Sequence, residues 1–174
     1  MESVVRLAEV QAVIESAKAR GMEPLERFIQ RRLPDASPSE VTDAADLALE
    51  IIESVPVFLA RAAQEAGDRN LTIVIQPLLD HAEQYFLRPM DLIPEMTQGL
   101  PGLLDDAYLV LRVLQNLEKG PEPFLDWDLD HPTAFLRRLV GERIGHELDM
   151  ISFAAMQELS ENLTHLWSGM AHEA

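Results

Sequence analysis

Across residues 136–170 the apolar residues return every three or four positions, and the same step recurs over most of the chain. Leu7, Val10, Ile14 and Ala17 draw one stripe. Val41, Ala44, Ala48, Ile51 and Val55 draw a second, and Leu104, Ala107, Leu111 and Leu114 a third. That spacing puts each set on one face of an α-helix, and each such face must be buried against another element. A strand would need alternation in twos, and no pair of alternating runs is present. The nearest approach is the β-branched run Thr72, Ile73, Val74 and Ile75, but Pro77 follows it, and proline is excluded from central strands. The expectation is an all-α fold. A single domain over residues 1–174 should form one compact bundle of seven to eight helices with a central helical hairpin at about 78–117.

Proline and glycine divide the pattern. Gly21 is placed to end a first helix over 2–20. Pro24 can open a second helix and Pro34 close it. Ser37, Pro38 and Glu40 make a capping box, in which the serine hydroxyl and the glutamate carboxylate each satisfy one free amide of the first turn. Pro56 lies inside the next helical run and is expected to kink or break it. Gly67 is expected to end that run before a turn at Asp68, Arg69 and Asn70. Pro132 is expected to open the last helical region, which reaches about residue 170. Within it Gly141 and Gly145 stand four apart, which suits either a close helix approach or a break between two helices.

Thirty acids against 14 Lys and Arg give a formal charge of −16. Residues 1–70 hold 13 acids and 8 bases, a balance of −5; residues 71–174 hold 17 and 6, a balance of −11. A field of that sign disfavours nucleic acid and anionic lipid unless the fold gathers a basic patch. The densest cationic groups are Arg27, Arg31 and Arg32, then Arg137 and Arg138, each read as a solvated face paired with nearby acids. Cysteine is absent, so no disulfide framework is expected. No leader is visible and no apolar run is long enough to span a bilayer, so no transmembrane segment and a cytoplasmic location are expected.

The most distinctive stretch covers residues 85–117. Tyr85 closes a helix before Pro89, and Asp91-Leu92-Ile93-Pro94-Glu95 follows. A loop with Pro101 and Gly102 then leads to Asp105 and Asp106 at the start of another helix. Tyr85, Pro89, Asp91, Leu92, Ile93, Pro94, Asp105 and Asp106 resemble the motif of the YkvA-like family, a bacterial helical domain of unknown function. Glu95 stands where that family has Asp, and the loop is one residue longer. The resemblance implies a helical hairpin and carries no reaction with it; some relatives are membrane-associated. Two carboxylates in a first turn also have a plain structural use at the positive end of the helix dipole. Leu92 and Ile93 are expected to be buried as a plug over the bundle.

Two groups could carry chemistry. His81, Asp91, Glu95, Asp105 and Asp106 could converge on a divalent metal, as inward carboxylates and histidine do in some bundles, although the usual Glu-x-x-His spacing is missing. Glu142 with His146, and Glu161 with His165, are four apart and share a helix face. Asp126, Asp128 and Asp130 have the spacing of a calcium loop but lack its glycine and closing glutamate. No phosphate-cradling loop, zincin helix or nucleophile elbow is present. No cofactor is expected. The leading expectation is a non-enzymatic protein acting through protein–protein contact, with no nucleic-acid partner and with a homo-oligomer compatible with it. The alternative is a metal-dependent hydrolase using carboxylates of the 88–106 loop, and the third reading is peripheral membrane association.

Overall fold

A computed structural model describes the backbone of residues 2–87, 99–118 and 128–173 and the side chains of residues 7–84, 86–87, 99–117, 128–158 and 161. These residues form seven α-helices and a short 3-10 turn, with no strand among them: α1 Glu2–Lys18, α2 Glu23–Arg32, α3 Pro38–Asp68, α4 Thr72–Leu87, the turn Leu100–Leu103, α5 Leu104–Glu118, α6 Asp130–Val140 and α7 Glu142–Glu173. The all-α bundle is what the helical period requires.

Helix α5 is the axis. Its residues Leu104, Ala107, Tyr108, Leu109, Val110, Leu111, Val113 and Leu114 are all buried, so both of its sides are covered. A helix buried on more than one side belongs in the middle of a bundle. Helices α3, α4, α6 and α7 pack around it, and one continuous apolar core runs from Val10 in α1 to Leu148 in α7.

The local signals act largely as their chemistry requires. The Ser37 hydroxyl accepts the Glu40 amide at 3.2 Å, and the Glu40 carboxylate accepts the Ser37 amide at 3.3 Å, which completes the capping box. Gly21 takes φ +87° just past α1. Two expectations need correction. Pro56 does not break α3, which runs unbroken from Pro38 to Asp68. Pro56 is buried, and Ile51, Ile52 and Val55 before it and Leu59, Ala62 and Ala66 after it are buried too. This continuous stripe favours one helix and outweighs the missing N–H of proline. Gly67 does not end α3 either. The terminator is Asn70, with φ +57°. The Asn70 amide donates to the Gly67 carbonyl and the Leu71 amide to the Ala66 carbonyl, the two bonds of a helix end closed by a left-handed residue.

Thr72 to Ile75 are helical despite their β-branching, and Pro77 sits inside α4. The last helical region begins at Asp130, two residues before Pro132, and is two helices. Gly141, with φ +90°, separates α6 from α7.

Candidate functional site

The motif residues are only partly open to description. The Tyr85 side chain and Pro89, Asp91, Pro94 and Glu95 lie outside the described residues, as do Leu92 and Ile93 and the proposed plug, and also Asp126 and the His165 side chain. Asp105 and Asp106 stand in the first turn of α5 as expected, and both are buried. The Asp105 Oδ1 accepts the Asp106 amide at 3.0 Å. Glu83 in α4 is a further buried acid that the motif did not single out. His81 is exposed. Among the described residues no group of three His, Asp or Glu side chains could hold a metal ion.

Glu142 and His146 do not pair with each other. His146 is exposed, and the Glu142 carboxylate instead lies 3.3 Å from Arg137. Asp128 and Asp130 serve the start of α6: the Asp128 Oδ1 accepts the Asp130 amide at 3.0 Å, and Asp128 Oδ2 lies 3.4 Å from His131.

A polar seam that the sequence reading missed joins α5, α6 and α7. Asp149 of α7 receives the Tyr108 hydroxyl at 2.5 Å and the Arg112 Nε at 3.1 Å, both from α5, and the Arg137 Nη1 from α6. The same Arg137 nitrogen donates to the Tyr108 oxygen at 3.2 Å. One turn further along, the Asn116 Nδ2 donates to the buried Ser152 hydroxyl at 2.7 Å. Burial alone would push the Asp149 carboxyl up, but the Tyr108 hydroxyl and the Arg137 and Arg112 guanidiniums outweigh it and hold it below the ordinary carboxylate range. Burial pushes the Tyr108 phenol up, and donation to Asp149 adds to this. These shifts move both groups away from neutrality. The contacts fasten α5, α6 and α7 to one another. Its sequence signal was Tyr108, Arg112 and Asn116 at four-residue steps, one face of α5.

An open groove lies between α3 and α6. Leu47, Ile51, Pro132, Ala134 and Phe135 line it, with His131 and Arg138 at its edge, and it encloses about 420 Å³. Leu47 is 43% exposed there. The positions 131, 134, 135 and 138 form one face of α6, so the groove follows that helix along its length. The other flank of α3 is acidic, with Asp46, Glu50 and Glu53 around a second hollow. Met150 and Phe153 form a smaller exposed apolar pair on α7.

Comparisons with protein-family models, with curated proteins and with solved structures found no match.

Proposed function

We propose that this protein works without catalysis, by binding another protein through the α3–α6 groove. The observation that carries this reading is the groove itself. It is concave, apolar and large enough for the side chains of a bound segment, since ligand sites span roughly 300–1,000 Å³. An amphipathic segment laid in such a groove presents apolar anchors at helical spacing, and a few buried anchors supply most of the affinity. Leu47 would otherwise remain uncovered on the surface of a chain with a formal charge of −16, which is well able to stay soluble without a partner. No helix among the described residues is long and apolar enough to cross a membrane.

Selection from a random peptide library displayed on phage tests the reading. Wild-type protein is the bait and Leu47→Glu the counter-bait, with circular dichroism confirming that the variant keeps its helices. Peptides that bind wild type and not Leu47→Glu are expected. Recovery of no binders, or of binders indifferent to Leu47, would defeat it.

A further inference from the structure

We infer that the partner's docking segment is acidic as well as apolar, and that arginines gathered around Gly141 recognise its carboxylates. The inference rests on the groove being a protein-binding surface and specifies what that surface takes. Arg31 and Arg32 belong to one cationic cluster of the sequence and Arg137 and Arg138 to another, about a hundred residues apart. The fold brings Arg32 of the first to the end of α6, the helix that carries the second. The Arg32 Nη1 lies 3.4 Å from where a Cβ of residue 141 would stand, at the junction of α6 and α7. Arg138 is one turn before that junction and Arg143 two residues after it.

Arg31, Arg32, Arg138 and Arg143 are all exposed. Arg32 rests on the Phe28 ring, 5.2 Å from its centroid. Among the described residues neither Arg31, Arg138 nor Arg143 forms an ion pair, although acids outnumber bases by 30 to 14. Glu142, next to Arg143 in sequence, is engaged with Arg137 instead. A last-turn position explains why arginine suits the ends of α2 and α6, since cations there favour the helix dipole. It does not explain why Arg138 is also at the edge of the apolar groove. That placement joins a hollow for apolar side chains to a surface for anions.

The two features together select the class of ligand. A nucleic acid offers phosphates but no aliphatic side chains to enter the groove, and a bilayer surface cannot enter a hollow of this size. A protein segment with Leu or Phe anchors and flanking Asp or Glu satisfies both. The acidic flank of α3 would repel such a segment, which confines it to the groove.

Fluorescence anisotropy with defined probes tests this. The probe is a fluorescein-labelled twelve-residue amphipathic peptide with leucines at helical spacing and glutamates elsewhere. Companion peptides replace every glutamate by glutamine or by lysine. The glutamate peptide should bind wild type about tenfold tighter than the glutamine peptide, the lysine peptide weakest, and added salt should erase the difference. Arg32→Gln with Arg138→Gln should remove the glutamate preference, bringing the glutamate peptide's affinity down to that of the glutamine peptide. Both side chains are exposed and neither forms an ion pair among the described residues, so the variant should fold, as circular dichroism can verify.

Equal affinity for the glutamate and glutamine peptides would overturn the inference while loss of both with Leu47→Glu left the groove reading standing. So would failure of the glutamate peptide to bind while the displayed library still yields Leu47-dependent binders. Binding of all three peptides regardless of Leu47→Glu would defeat both. Flotation with phosphatidylserine vesicles that depends on the arginines, or self-association that Leu47→Glu abolishes, would assign the surface to a membrane or to a second copy and overturn the inference.

Discussion

The Arg137 guanidinium lies directly against Gly145. A Cβ at position 145 would stand 2.2 Å from Arg137 Nε, 2.4 Å from Cδ and 2.6 Å from Cζ. The two glycines that the sequence placed four apart therefore have different tasks. Gly141 turns the chain between α6 and α7, and Gly145 clears the space through which Arg137 reaches Asp149.

Gly145→Ala should lower stability, against the usual trend. Alanine in a helix interior is worth about 1 kcal/mol more than glycine. Here it would displace Arg137 from Asp149 and Tyr108, at an overpacking cost of roughly 1–3 kcal/mol. The diagnostic is a double-mutant cycle by thermal melting. In an Arg137→Ala background the same Gly145→Ala change should become stabilising. A stabilising effect in the wild-type background would show that Arg137 moves aside without loss.

Asp149→Asn should cost roughly 1.5–3 kcal/mol in denaturant unfolding, the range for hydrogen bonds to a charged group. The loss would leave two guanidiniums facing each other across the seam. A change below about 0.5 kcal/mol, the range of ordinary surface positions, would mean that the seam does not hold the helices together.

The pH dependence follows from the same groups. Asp149 has a folded pKa below its ordinary value of 3.8, so its contribution is fully present above the unfolded pKa and is lost as pH falls through the folded one. Tyr108 has a folded pKa above its ordinary value of 10.0, so its contribution is present below that value and is lost as pH rises through the folded one. Acid titration of Asp149→Asn and alkaline titration of Tyr108→Phe should each be flatter than wild type on that side alone. Curves parallel to wild type would contradict the assignment.

The helical fold was legible because periodicity and breakers are local. The capping box at Ser37 and Glu40, the turn at Gly21 and the buried face of α5 all follow from residues within a few positions of one another. The errors came where tertiary packing outweighed a local rule. Pro56 stays inside α3 because a buried stripe continues on both sides of it, and Asn70 takes over as terminator because the stripe extends to Ala66. The seam and the groove were not legible, since each depends on which helices meet. Nothing near Arg137 in sequence names Tyr108 as its neighbour, and nothing near Leu47 names Phe135. The arginine clusters were visible as composition, but their meeting at Gly141 is a property of the assembled bundle.

Asp105→Asn separates a structural role for the motif acids from a metal site. The substitution keeps an acceptor for the Asp106 amide and removes a charge from the first turn of α5. The expected loss is about 0.3–1 kcal/mol, up to ~2 where the site is partly buried. Mg²⁺, Mn²⁺ and Zn²⁺ should leave the wild-type melting temperature unchanged. A metal-induced rise in wild type that vanishes in Asp105→Asn would instead support the hydrolase alternative, with Asp105 among the ligands.

The most direct measurement is an amide chemical-shift map of the intact protein titrated with the tightest peptide from the displayed library. Shifts should concentrate on Leu47 and Ile51 of α3 and on Ala134, Phe135 and Arg138 of α6, and disappear with Leu47→Glu. Shifts centred on Met150 and Phe153 of α7, or spread without a centre, would contradict the assignment of the α3–α6 groove as the binding surface.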